Sequence, residues 1–188
     1  NFNIFTSLFN GDEEVTLHSK FIYELLRNTE NSEIYLSNFL EMLSEDIEIK
    51  KCEIYKEYRN IDLLIRTRDK AIIIENKIYA EDQPKQLYRY YEIMKEEGIK
   101  SENISCYYLT LDGKEPSKDS LNGLKVDIDV RLISYENDIK KWIHNCIKES
   151  AYIPSLREIL MQYKNLILDL TGQSDGGKLE MELKTLIL

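Results

Sequence analysis

The sequence predicts an α/β domain, a central mixed β-sheet flanked by helices, and three observations carry that expectation. Apolar residues switch from helical spacing to alternation and back along the chain. The run Ile72-Ile73-Ile74 has the character of a strand buried on both faces, the centre of a covered sheet. Seven glycines and three prolines stand against thirteen tyrosines and 43% apolar residues, so the chain has few breaks and enough apolar mass to build a core.

Residues 3–10 are short and apolar-rich, and Gly11-Asp12 ends them. From Glu13 onward, Val15, Leu17, Phe21, Ile22, Leu25 and Leu26 recur near helical spacing, which places Glu14 and His18 on one face. A second helix is predicted from about residue 32 to 44, with Ser32 as cap. Between residues 50 and 58 the period becomes two, with Cys52 and Ile54 alternating with Lys51, Glu53 and Glu57: a half-exposed strand. Residues 60–67 and 70–78 follow as two further strands. Asp82-Gln83-Pro84 predicts a helix start, an acidic cap with proline in the first turn, and Gly98 ends that helix. Residues 103–111 form the next strand, 112–123 a polar loop, 130–134 a last strand, and helices are expected over 135–149 and 154–171.

A mixed sheet with helices packed on it is the simplest way to layer that order of elements. Residues 1–171 are expected to form a single domain. The stretch beginning Gly172-Gln173-Ser174 predicts a flexible break, leaving 172–188 as a tail segment.

Cys52, Cys106 and Cys146 are odd in number and far apart, without metal-finger spacing, so reduced and buried thiols are expected. No charged leader precedes an apolar segment, and no apolar run approaches the roughly 18 residues of a membrane span. A cytoplasmic protein that does not enter a membrane is therefore expected. The net charge of −9 argues against unspecific binding of a phosphate backbone over the whole surface. Residues 47–95 nevertheless carry eleven Lys or Arg against nine Asp or Glu, a modest basic window.

The same window holds the chemistry. With Arg68-Asp69 as the central turn residues, Thr67 faces Lys70, and continuing that register sets Asp62 opposite Glu75. Directly opposed side chains lie roughly 4.5 to 5.5 Å apart at Cβ, and two carboxylates so placed need a proton or a cation between them. Glu75 and Lys77 share a face while Asn76 points away. Two hard oxygen ligands suit Mg2+ or Mn2+. On spacing alone a solvated charge cluster fits equally well. Gln86 and Tyr90, one helical turn apart, share a face whether or not they bind anything.

The segments Ile61-Asp62-Leu63-Leu64-Ile65 and Ile72-Ile73-Ile74-Glu75-Asn76-Lys77 resemble the signature of the PD-(D/E)xK nuclease superfamily, and Gln86 to Tyr90 is similar to the Q-x-x-x-Y element of RecB-type nucleases. Ile61 stands where the family name has proline. The resemblance covers about residues 13–110. It implies a restriction-endonuclease-like αβββαβ core with extra terminal helices, hydrolysing nucleic acid, DNA being the expected substrate, through a metal-activated water. Asp62 and Glu75 would be metal ligands with the Asn76 carbonyl, Glu14 on the first helix would complete the shell, and Lys77 would be the catalytic lysine. Gln86 and Tyr90 would face the cleft and meet substrate or nucleophile. A fold kept without activity, as a binding or scaffold module, is the alternative, and an oligomer or additional subunit could supply missing positive charge.

Other residues have blander readings. His18 and Glu57 could approach the cleft, yet a lone His on a half-apolar helix is more often packed. His144 has no acidic or nucleophilic neighbour in sequence and is expected to be structural. Tyr107 and Tyr108 could stack bases, although core packing is the commoner use of such residues.

Overall fold

The computed structural model describes residues 2–174, so most of the expected tail lies outside the described residues. A short helix α1 (Ile4–Leu8) leads to a π-helical turn (Glu14–Ser19) that runs into α2 (Lys20–Arg27), and α3 (Ser32–Met42) follows. Strands β1 (Glu53–Tyr58), β2 (Ile61–Arg66) and β3 (Ala71–Lys77) form a meander, then α4 (Gln86–Glu96) crosses to β4 (Ile104–Thr110). A single turn α5 (Lys118–Leu121) precedes β5 (Val130–Ser134), a second π-helical turn (Tyr135–Ile139) opens α6 (Lys140–Glu149), and α7 (Pro154–Leu170) ends the described chain. Strand order is β1-β2-β3-β4-β5, with β1, β2 and β3 antiparallel and β3, β4 and β5 parallel, so the sheet is mixed as expected.

Alternation sorts the central strands between two cores. Leu63, Ile65, Ile72 and Ile74 face the layer that holds Leu25, Phe39, Trp142 and Leu160 of α2, α3, α6 and α7. Leu64 and Ile73 face the other way, onto Leu87, Tyr90 and Met94 of α4. That helix stops in a Schellman arrangement: Gly98, at φ 89°, donates to the Lys95 carbonyl and Ile99 to that of Met94.

Both hairpins fix the register on which the site depends. Thr67 N–H donates to Lys70 O at 2.9 Å, closing the turn on Arg68-Asp69, and the pairs run Arg66 with Ala71 through Leu63 with Ile74. Asp62 and Glu75 are the next residues in that register. The β1–β2 turn is tighter, with Arg59 at φ 50° and Asn60 at φ 70°, the two left-handed residues of a type I′ hairpin.

Several local expectations give way to tertiary contacts. Asp82 does not cap α4, because its carboxylate accepts the Tyr108 hydroxyl at 2.9 Å and Ser117 N–H at 2.6 Å. The helix instead starts at Gln86, after Lys85 at φ 55°, so Pro84 lies outside it. Cys106 and Cys146 are buried free thiols, whereas Cys52 is half-buried on the edge side of the sheet. The loop after β4 contains the turn α5. Among the described residues no helix is long and apolar enough to cross a membrane.

His18 is packed. A carbonyl can only accept, so Nε2–H donates to Gly11 O at 2.8 Å, which leaves Nδ1 to accept the Tyr163 hydroxyl at 2.7 Å. Burial drives its pKa down to about 4. The folded chain holds this imidazole neutral while the unfolded chain protonates it near 6.5, so stability is present above that pH and is lost as pH falls towards 4. At 1.36 kcal/mol per unit this loss is on the order of 3 kcal/mol. Urea melts at pH 7 and pH 4.5 check it, and His18→Ala is expected to reduce the difference while lowering stability at both. In the type I′ turn, Asn60→Val is expected to cost about 1–2 kcal/mol and Asn60→Gly close to nothing, read from the same melts.

Candidate active site

Among the described residues, the Asp, Glu, Lys and Arg residues buried as a whole are Asp62, Glu75 and Lys77, with relative exposures of 8%, 2% and 6%. All three stand together on the α4 face of the sheet. Asp62 Oδ2 accepts the Asn76 backbone N–H at 2.8 Å. Glu75 Oε1 accepts from Gln86 Nε2 at 2.6 Å and lies 3.2 Å from Lys77 Nζ. Glu75 Oε2 is buried without any hydrogen-bond partner. Lys77 also donates to Glu81 O at 3.4 Å.

The electrostatics follow from that short supply of donors. Burial first, then the neighbouring Asp62 charge, pushes the Glu75 carboxyl well above the usual carboxylate range, and Lys77 only partly opposes this. Burial likewise raises Asp62 to about 6, against the pull of the Asn76 N–H and the Lys77 charge. Each carboxyl group thus disfavours the charge on the other, which a proton or a cation at the pair would relieve.

Helix α4 supports the pair from one side. Gln86 Nε2 reaches both Glu75 and the Tyr90 hydroxyl, the latter at 3.1 Å, and its Oε1 accepts Gln83 N–H. The Tyr90 hydroxyl donates to the Asn60 carbonyl at 2.7 Å, tying the helix to the β1–β2 turn. Burial and the Glu75 charge raise that phenol to about 12. Both side chains thus hold Glu75 and the hairpin in place while lining the cavity.

Asn76 works on the opposite face. Its Nδ2 donates to Glu14 O at 3.1 Å and Ser19 Oγ at 3.0 Å, and its Oδ1 accepts the Tyr135 hydroxyl at 3.0 Å. A strand residue's N–H and C=O leave the same edge, so the Asn76 carbonyl faces the side of Asp62. Glu14 is aimed by the π-helical turn, a distortion often found at functional sites. Its Oε1 accepts three backbone N–H groups, from Ile78 at 2.5 Å, Tyr79 at 2.9 Å and Ala80 at 2.8 Å. The expected third carboxylate therefore binds the chain leaving β3, although its charge still raises Asp62.

A cavity of about 330 Å³ is lined by Glu14, Asp62, Glu75, Asn76, Lys77, Gln86 and Tyr90, with Val15, Glu57, Asn60 and Gln83 at its walls. All seven site residues expected from the sequence thus meet in one place. Larger cavities of about 640 and 660 Å³ lie elsewhere, and no buried charged side chain lines either. Glu57 is exposed at the wall with φ 53°, His144 is exposed on α6, and Tyr107 and Tyr108 are core residues. Asn60, Ser19 and Tyr135 were not foreseen. Ser19 and Tyr135 meet the motif only across the fold, and Asn60, two residues before Asp62, enters through its carbonyl, which no side-chain pattern signals.

Among the described residues no three His, Cys, Asp or Glu side chains gather as a metal cluster. Two facing carboxylates, one oxygen of which lacks a donor, do fit a hard divalent cation of the kind held by one or two carboxylates, waters and substrate phosphate.

A family model described as the PD-(D/E)XK nuclease superfamily matches residues 2–165. No curated protein matches the chain, and no solved structure does. With the mixed sheet, the strand order and most of its length inside that match, the chain belongs to the PD-(D/E)XK nuclease superfamily.

Proposed function

We propose that the chain hydrolyses phosphodiester bonds of nucleic acid, DNA being the expected substrate, with Mg2+ or Mn2+ held by Asp62, Glu75 and the Asn76 carbonyl. The observation that carries this reading is the burial of two carboxylates and one lysine at a single place, with one carboxylate oxygen left without a donor. A divalent cation bound there lowers the pKa of a water and polarises a phosphoryl oxygen. Lys77, 3.2 Å from Glu75, orients the attacking water and offers a charge to the non-bridging phosphoryl oxygen. Gln86 keeps the Glu75 carboxylate turned towards Asp62, and Tyr90 holds Gln86 and the Asn60 turn together. Glu14 acts from outside the pair, through the amides that follow Lys77.

The net charge of −9 favours a second reading, a binding module of the same fold that cuts nothing. Cleavage assays on single- and double-stranded DNA and RNA separate the two. Lys77→Ala, Asp62→Asn and Glu75→Gln are each expected to lower metal-dependent cleavage by about 10²-fold or more, and Gln86→Ala by about 10-fold. A folded, metal-loaded wild-type chain that leaves the whole panel intact would sink the nuclease reading.

Removing the metal has its own signature. Two like charges buried together weaken the chelated protein, so Asp62→Asn is expected to raise its Tm in EDTA. The same substitution should abolish the Tm gain that added Mg2+ gives the wild type, measured by differential scanning fluorimetry at pH 7.5.

A further inference from the structure

Beside the cavity around Asp62 lies a smaller one of about 210 Å³, lined by Phe9, Lys20, Lys56, Glu57 and Asp62, among others, and the two share Val15, Glu57 and Asp62 as wall. Here the first helical layer meets the edge strand β1, and the seam carries cations and aromatic rings beside the exposed Glu57.

Lys20 and Arg27 lie seven residues apart on one stripe of α2, with Tyr23 between them. Lys56 reaches across from β1, its Nζ 5.5 Å from the centre of the Tyr23 ring. Arg27 lies 5.8 Å from that ring, bonds the Tyr23 hydroxyl at 2.8 Å, and reaches Ile54 O on β1. The cations are thus ordered along the groove. Among the described residues, the ion pairs involve Lys51, Arg59, Arg66, Lys70, Lys77, Lys95 and Arg131, so Lys20, Arg27 and Lys56 have no carboxylate partner. In a chain of net charge −9, three unneutralised cations on one seam that opens at the buried carboxylates form a local exception. Phe9, 40% exposed, stands where the seam meets the cavity.

The geometry points to a track for one nucleic-acid strand, running from Asp62 along the α2–β1 seam, with Lys20, Lys56 and Arg27 on its phosphates and Phe9 beneath a base. This rests on the nuclease reading and adds the direction in which substrate leaves the site. Seven residues of helix span about 10 Å. Three cations strung over that length, on long flexible side chains, can meet successive phosphates of one extended strand. The single file of cations and the exposed ring suit an unpaired strand, since a duplex hides its base faces. Such contacts read phosphodiester and stacking surfaces, so deoxy- and ribo-oligomers share the chemistry.

The test is fluorescence anisotropy of labelled dT and rU 12-mers in EDTA, using a Glu75→Gln chain so that neither cleavage nor the Glu75 charge intervenes. Log affinity against log salt is expected to lose about 0.7 of slope for each of Lys20→Ala, Arg27→Ala and Lys56→Ala, and about 2 for the triple variant. Phe9→Leu should weaken binding about 5-fold or more with the slope unchanged. Glu57→Gln should strengthen it, and Lys95→Ala, on the far helix, should leave it alone. The same changes in slope for both oligomers support the track. An unchanged slope in the triple variant, an equal loss from Lys95→Ala, or no binding of either oligomer at low salt overturns it. Magnesium-dependent cleavage by the wild-type chain is read separately: cutting with an unchanged slope discards the track alone, whereas a chain that binds along it and cuts nothing discards the nuclease reading alone.

Discussion

Two carboxylates that repel one another, buried beside a single lysine, are the constraint around which this molecule is arranged. Neither Asp62 nor Glu75 could be placed in an apolar sheet without compensation, since an unpaired buried charge costs several kcal/mol. The fold supplies donors from three directions: the Asn76 amide from the strand itself, Gln86 from α4, and Lys77 from two residues along. Even so, one Glu75 oxygen is left over. Elsewhere the described chain pairs its polar groups with care, as at Glu45, which meets Lys70, Arg131 and Tyr107, and at Glu97, which meets Arg66, Arg59 and Tyr58. The incompletely satisfied pair thus stands out against the well-partnered carboxylates of Glu45 and Glu97.

Mixed topology brings the supports within reach. The antiparallel hairpin sets Asp62 beside Glu75, whereas the parallel step from β3 to β4 requires a crossover, and α4 is that crossover. Its first turn therefore lies over the end of β3, where the strand changes from isoleucine to Glu75 and Lys77. A helix placed there by topology carries Gln86 to the carboxylate at no further expense in chain length.

What could be read in advance divides along the line between local and distant interactions. The register of β2 against β3 was legible because side chains alternate strictly and a two-residue turn fixes the partner of every residue, so Asp62 and Glu75 could be paired from spacing. The opposite facing of Asn76 followed from the same rule. Family resemblance, and not spacing, brought Glu14, Gln86 and Tyr90 to the cleft, and the structure sets all three at its walls. The start of α4 was misplaced because Asp82 had a better partner in Tyr108 and Ser117, both distant in sequence. His18 was ambiguous for the same reason. Its partners, Gly11 and Tyr163, lie on opposite ends of the chain, and only the packed layer brings them together.

Asn76 sits between Glu75 and Lys77 and yet belongs to both halves of the molecule. Its backbone serves Asp62 on the α4 face, and its side chain closes a polar knot with Ser19 and Tyr135 in the otherwise apolar helical layer. The middle position of the Glu-x-Lys motif is consequently not a free letter in this chain. An aliphatic residue there would take a donor from Ser19 Oγ and an acceptor from the Tyr135 hydroxyl, so a change at 76 costs less when 19 and 135 change with it. Sequence drift in the helical layer and upkeep of the carboxylate pair are thereby coupled through one amide side chain, and the cost of a careless substitution on one face is carried to the other.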